Sequence, residues 1–334
     1  MSGGNVSYNL RPNKYVERHL FIELLAMLVG TNDPARFVYI SLGGPQMEDH
    51  RLVHQQLNLH NMISLESDEV IHRRQLFNRR PALVNCINSD TGSFITDFAR
   101  FADEHMDNEF IIWLDYADPR ARLDQLLEFK SLLRQLQHGD ILKITLNANP
   151  ATLGEKRSGE KEDEVRERRL AEFKAQLSEH FPTDRVLSES MTGRQFPVLL
   201  CQLVQRFALQ AITIASTKIV PLAIFCYQDG NHQMMTITVQ LMKGANVEEN
   251  LQALRKAGWE YLPNSWEDVS NIRVPNLTAK ERLLVEELLF TGNNEAAHKL
   301  LPFRFHGDEK VSLDIFNEYA RHYRRYPSYF QVIL

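Results

Sequence analysis

Cysteine is scarce in this chain: three in 334 residues, Cys86, Cys201 and Cys226, an odd number, each inside an apolar run. That excludes a disulfide-stapled scaffold and reads as reduced core thiols. No apolar run approaches the roughly 18 residues of a membrane span. Met1-Ser2-Gly3-Gly4 lacks the charged-then-apolar pattern of a secretory leader, so a cytoplasmic protein is expected. A dominant charge is lacking too. Lys and Arg number 38 against 43 Asp and Glu, a net charge of −5. This excludes retention on nucleic acid by bulk electrostatics and leaves only a local basic patch open. Neither GxSxG nor a Walker A sequence occurs, nor any internal repeat or low-complexity tract. His50, His54, His60 and His72 are scattered over two helical segments and a turn, without Cys or carboxylate at ligand spacing, so no metal site is expected. What is present, 43% hydrophobic and 24% charged, is globular composition in a chain long enough to bury a core without staples.

Apolar periodicity sets the organisation. Behind Pro12, residues 13–30 repeat apolar side chains every three or four positions, which predicts an opening helix. The β-branched and aromatic run 36–42 follows, stopped by Gly43-Gly44-Pro45. Further strands are expected at 61–65, 82–87, 110–114 and 141–146, separated by helices at 48–57, through Phe77, at 94–105 and at 123–136. Strands buried on both faces and spaced by helices imply βαβ units and a parallel sheet with right-handed crossovers.

The mixed-sign stretch 155–181 reads as a charged helical insertion laced with ion pairs, and 196–214 as an apolar helix. Residues 218–227 and 234–242 then read as strands joined through Asp229-Gly230, a hairpin turn, so these two should pair antiparallel. The second is expected to lie between the first and the fifth strand. Alternation in Thr236-Ile237-Thr238-Val239-Gln240-Leu241 predicts one face less deeply buried. Five parallel strands closed by such a hairpin describe the Rossmann-like sheet of class I S-adenosylmethionine-dependent methyltransferases. A dehydrogenase-type sheet would have a parallel sixth strand. Residues 1–245 are therefore read as that domain. Residues 246–334 are read as a helical appendage, with an irregular 271–275, a capping box at Thr278–Glu281 and Ser312 as the N-cap of a last helix.

In open parallel sheets ligands bind beyond the carboxyl ends of the strands. The polar residues there are the candidate site. Gly43 and Gly44 let backbone approach a ligand or simply make a tight turn. Pro45 removes an amide donor, and Glu48 and Asp49 follow closely, which suits a cationic sulfonium better than a pyrophosphate. Glu66, followed by Ser67, closes the second strand, where a carboxylate can grip the ribose diol; the alternative is an acid at a helix start. Asp90 and Thr91 close the third, placed to receive adenine or to cap the next helix. Asp115 and Tyr116 close the fourth, an acid to orient an acceptor or take its proton beside an aromatic wall. Asn147-Ala148-Asn149-Pro150 closes the fifth.

Several stretches resemble a known family: Tyr39-Ile40-Ser41-Leu42-Gly43-Gly44, Met62-Ile63-Ser64-Leu65-Glu66, Gln75-Leu76-Phe77-Asn78, Trp113-Leu114-Asp115-Tyr116, residues 143–150, Tyr227-Gln228-Asp229-Gly230 with Met235-Thr236, and residues 274–278. They are similar to bacterial O-methyltransferases of class I fold. The resemblance implies S-adenosylmethionine as cofactor, held at Gly43, Glu66 and Asp90. The leading expectation is O-methyl transfer, with Asp115 and Tyr116 nearest an unidentified acceptor. The rival is a methyltransferase-shaped binding or assembly module without turnover, favoured by Ser41-Leu42, where the family carries an acid. The tail Tyr319–Tyr326 mixes cations with aromatics. Docking of this helix on its own domain or on a protein partner is preferred over nucleic acid, and no membrane partner is expected.

Overall fold

A computed structural model describes residues 10–79, 83–182, 186–212 and 216–327. Met1 to Gly4, Ala82 of the third expected strand and Ile214 of the apolar helix lie outside the described residues. Helix α1 (Pro12–Val29) opens with proline at its first turn, where a missing N–H costs nothing. Its Arg11 provides no side-chain cap. A carboxylate 215 residues away does so instead: Asp229 accepts from the backbone N–H of Asn13 (3.2 Å) and of Lys14 (2.8 Å).

The strands are β1 (Phe37–Ser41), β2 (Asn61–Glu66), β3 (Val84–Asn88), β4 (Glu109–Asp115), β5 (Ile141–Asn147), β6 (Thr217–Asp229), β7 (His232–Lys243) and β8 (Ser270–Ile272). Between them run α2 (Glu48–Leu57), α3 (Glu69–Asn78), α4 (Thr91–Asp103), α5 (Arg122–Leu133), α6 (Glu162–Leu177) and α7 (Phe196–Ala211). They form one sheet of order β3-β2-β1-β4-β5-β7-β6-β8. The first five strands are parallel, and β7 pairs antiparallel with both β5 and β6. The hairpin thus stands where the sequence predicts it, with β7 inserted between β5 and β6 and Gly230 at φ +61° in the two-residue turn. This is the Rossmann-like class I methyltransferase arrangement.

Two expectations change. Residues 271–275 read as irregular, yet Ser270–Ile272 forms the eighth strand, parallel to β6 at Phe225–Tyr227. Three residues are too few to show a period. Alternation in β7 predicts a less buried face, which holds at half-buried Gln240, yet Thr236 and Thr238 on that face are buried. Thr236 donates to Glu17 of α1, so its polarity meets buried charge rather than water.

The C-terminal stretch supplies α8 (Val247–Lys256), α9 (Ala279–Phe290), α10 (Asn294–Lys299) and α11 (Glu309–His322). Thr278 and Glu281 form the expected capping box. Ser312 is not an N-cap: Asp308 takes that place by accepting from Val311 N, and buried Ser312 accepts from Phe305 N (3.0 Å). Leu254, Val285, Phe316 and Tyr319 share one core with Val16, Leu20 and Leu24 of α1 and with Phe225 of β6.

The two faces of the parallel part differ. One is apolar along its length: Val38, Ile40, Ile63, Leu65, Ile112, Leu114, Ile144 and Leu146 pack on α4, α5 and α7. The other, under α1 and α2, begins apolar with Phe37, Tyr39, Ile111 and Ile141. Towards the carboxyl ends it turns polar, through buried Ser41, Ser64, Lys143 and Thr145.

Candidate cofactor and acceptor site

The turn after β1 is held from two helices. A Cβ at Gly43 would lie 2.3 Å from Ser64 Oγ and 3.0 Å from His50 Cε1, so glycine is demanded there by packing within the protein. His50 of α2 donates Nε2–H to Ile63 O (2.9 Å), and burial lowers its pKa, which keeps the ring neutral. From α3, Gln75 donates to Gly43 O, and Asn78 donates to Pro45 O (2.8 Å). The histidines the sequence offered as scattered do structural work: His54 and His72 also donate to backbone carbonyls, of Leu59 and Cys86. Among the described residues no group of three or more His, Cys, Asp or Glu is placed to hold a metal ion.

Glu66 stands half-buried at the end of β2, and exposed Ser67 follows. It accepts from Asp68 N (2.9 Å), while Asp68 itself caps α3 through Val70 N and Ile71 N. The cap is therefore Asp68, two residues beyond Glu66. Burial raises the Glu66 carboxyl, opposed by the Asp68 amide. Asp90, by contrast, caps α4: its two oxygens accept from Ser93 N (2.8 Å) and Ser93 Oγ (2.7 Å). These bonds lower its pKa despite its exposure. Thr91 begins that helix beside it.

Asp115 and Tyr116, neighbours in sequence, point to opposite faces, as the period of a strand requires. Tyr116 packs with Phe94, Phe98 and Leu126 in the apolar core, and its hydroxyl donates to Glu128 of α5. Asp115 faces α1, where Arg18 Nη2 lies 3.3 Å and Lys14 Nζ 3.9 Å from its Oδ2. Arg18 also donates to Asp49 of α2 (2.7 Å). Burial pushes the Asp115 carboxyl up. Lys14, Arg18 and Thr145 pull it down further, so it stays anionic at neutral pH. Burial brings the Lys14 ammonium down to about 8, with the Arg18 charge acting in the same direction.

Behind this pair lies a fully buried one: Lys143 Nζ sits 2.8 Å from Glu17 Oε1. Arg122 of α5 is buried and donates to Asn147 O at the end of β5 (3.2 Å), Thr152 Oγ1 (2.7 Å) and Gln176 Oε1 (3.0 Å). It ties the loop after β5 to the insertion helix α6. The strand ends therefore form one rim, with Gly43, Gly44, Glu66 and Asp115 along it and Asp90 and Thr91 at its β3 end.

The family model described as "Putative O-methyltransferase" matches residues 6–334 of this chain. The chain belongs to that family. Among curated proteins none matches. Solved structures resemble it distantly. Trm1 from Pyrococcus horikoshii, with S-adenosyl-L-methionine, is 15% identical over 72% of this chain and 57% of its own, at a TM-score of 0.42. The N-methyltransferase NodS from Bradyrhizobium japonicum is 9% identical over 68% and 97%, at 0.37. An O-methyltransferase from Bacillus cereus in complex with SAH is 13% identical over 71% and 83%, at 0.35.

Sequence reading of this O-methyltransferase family member missed Lys14, Arg18 and Glu128, and gave Gln75 and Asn78, within a stretch shared with the family, no role of their own. Each reaches the rim from a helix rather than from a strand end. For Arg18 a clue existed: α1 is apolar on most of its circumference, and an arginine among Phe21, Ile22 and Leu25 needs a partner. For Glu128 no clue stood in the sequence. Among the described residues no helix is long and apolar enough to cross a membrane.

Proposed function

We propose that this chain is an S-adenosylmethionine-dependent methyltransferase that transfers the methyl group to an oxygen of its acceptor. The observation that carries the reading is Glu66. It ends the second strand of a class I sheet, half-buried, while Asp68 does the helix capping that would otherwise explain an acid there. A carboxylate so placed suits a vicinal diol, which offers two donors to its oxygens. Gly43 and Gly44 would face the amino-acid end of the cofactor, Glu66 and Ser67 its ribose, and Asp90 and Thr91 its adenine. Bound there, the cofactor supplies a methyl group on a positively charged sulfur. The acids along this rim, Glu66 and Asp115, suit that charge.

The chain's own residues do the rest. Asp115, kept anionic by Lys14 and Arg18, orients an acceptor hydroxyl by accepting its hydrogen bond. Its lowered pKa makes it a poor base. Lys14, brought to about 8, is the neighbouring group that exchanges a proton near neutral pH. Tyr116, bonded to Glu128, walls the α4 side of the rim and not the acceptor side.

Calorimetric titration with S-adenosylmethionine and S-adenosylhomocysteine tests this. Micromolar binding, about 8 kcal/mol, is expected. In Glu66→Ala the affinity should fall about ten- to a hundredfold, the loss of a charge-assisted pair of bonds. No heat and no thermal shift at millimolar ligand refutes the reading. Unchanged affinity in Glu66→Ala with a lowered melting temperature refutes the ribose assignment. Binding without methyl transfer to any hydroxyl acceptor would favour the non-catalytic module.

A further inference from the structure

Gln75 and Asn78 lie one helical turn apart on α3, and both point at the turn after β1. Gln75 is fully buried; its Nε2 donates to Gly43 O and lies 3.4 Å from Gly44 O. Asn78 Nδ2 donates to Pro45 O (2.8 Å). Three consecutive carbonyls are thus drawn towards one helix. Met47 N, donating to Gly44 O (3.0 Å), closes the turn. A peptide unit is planar and trans, so a carbonyl held in one direction sends the next N–H the opposite way. The N–H groups of Gly44 and Gln46 therefore face away from α3, and Pro45, between them, has none.

Burial alone does not account for a glutamine at position 75. Its Oε1 is buried without a hydrogen-bond partner among the described residues. An orphaned polar atom of that kind is a penalty that a leucine of similar size would avoid. What glutamine provides, and leucine would not, is the pair of donors aimed at the turn. A donor whose direction is fixed beforehand needs no ordering when a ligand arrives.

We propose that Gln75 and Asn78 are positioning residues that aim the Gly44 amide at the amino-acid end of the cofactor. This rests on the cofactor reading above. Neither residue touches the ligand; both act through the turn.

The test uses the full chain with two ligands that share the nucleoside: S-adenosylhomocysteine and 5′-methylthioadenosine, which lacks the amino-acid end. Dissociation constants and melting temperatures are measured for the wild type, Gln75→Leu and Asn78→Ala. In Gln75→Leu the constant for S-adenosylhomocysteine should rise tenfold or more. That for 5′-methylthioadenosine should stay within twofold, at a temperature where both variants remain folded. Asn78→Ala, at a less buried position, should show the same split at about three- to tenfold, and decides the matter if Gln75→Leu does not fold. Affinity for S-adenosylhomocysteine within twofold of wild type, or equal losses for both ligands, overturns the proposal while leaving the cofactor reading standing. A wild type that binds neither ligand overturns both.

Discussion

The pair Glu17–Lys143 offers the sharpest test of how α1 is held against the sheet. Lys143 Nζ lies 2.8 Å from Glu17 Oε1, and neither side chain exceeds 1% exposure. The ammonium also sits 3.6 Å from the Trp113 ring centre and 4.0 Å from that of Phe21. Thr236 Oγ1 donates to the same carboxylate oxygen at 2.8 Å. Glu17→Gln keeps the volume and an acceptor for Thr236 but removes the charge. It leaves a cation in a water-free layer, and breaking a buried pair in this way costs about 3–5 kcal/mol. Burial already lowers the Lys143 pKa, and the attraction of Glu17 opposes that. In the variant the pKa falls further. The folded chain then binds fewer protons than the unfolded one between the folded pKa of Lys143 and about 10.4. Stability of Glu17→Gln should therefore rise with pH through that window and be lost as pH falls through the folded pKa. Equilibrium urea unfolding at pH 7 and pH 9 reads both effects. The double variant Glu17→Leu/Lys143→Met should recover most of the loss, because an apolar pair carries no desolvation penalty. A Glu17→Gln chain within 1 kcal/mol of wild type at both pH values would show that this pair does not hold the helix.

Three more expectations are open to direct measurement. Asp229→Ala removes the cap of α1 and should cost about 1 kcal/mol in urea unfolding, with Asp229→Asn closer to wild type; equal losses in both would mean the hairpin, and not the cap, is responsible. Gly43→Ala drives a methyl group to 2.3 Å from Ser64 Oγ, an overpacking cost of about 1–3 kcal/mol that Ser64→Ala in the same chain should relieve. Asp140 accepts from Phe110 N and Gln137 N, yet burial raises its carboxyl to about 6. Its contribution is thus full below the unfolded value and lost as pH rises through 6, roughly 3 kcal/mol by linkage, and Asp140→Asn should flatten that decline between pH 4 and 7.

Strand order was legible because each parallel strand is a short apolar run between helices, and an Asp-Gly between two longer runs can hardly be anything but a hairpin. What periodicity could not separate was a polar face turned to water from one turned to buried charge. Thr236 and Thr238 alternate like solvent-facing residues, and only the position of Glu17, 219 residues away from Thr236, says otherwise. Lys143, the one charge in an otherwise apolar strand run, is fully buried and meets the same Glu17. Ser312 failed as a cap for a local reason: Asp308 is as good an acceptor and comes first in the chain. At the rim, the residues that end strands were visible, because a change from apolar to polar marks a strand's end. Lys14 was not, since a polar residue on a helix is the ordinary case, and Gln75 and Asn78 stood out only as part of a stretch shared with the family.

The two faces also explain why adjacent site candidates separate. Asp115 and Tyr116 read as a unit in sequence, but strand geometry sends one to the α1 side and the other to the α5 side. Among the described residues the ion pairs of Asp115, with Lys14 and Arg18, come from α1. That helix is fixed at three places by distant parts of the chain. Asp229 caps its start, Lys143 pairs with Glu17 at its centre, and Arg325 makes a two-pronged pair with Glu23 at 2.6 Å for each bond. The first comes from the hairpin, the second from the sheet and the third from the C-terminal segment, so the placement of Lys14 and Arg18 depends on all three. A substitution at Arg325, far from the rim, would loosen α1 at one end and shift the two cations that keep Asp115 ionised. The C-terminal segment thereby bears on the Asp115 end of the rim without reaching it.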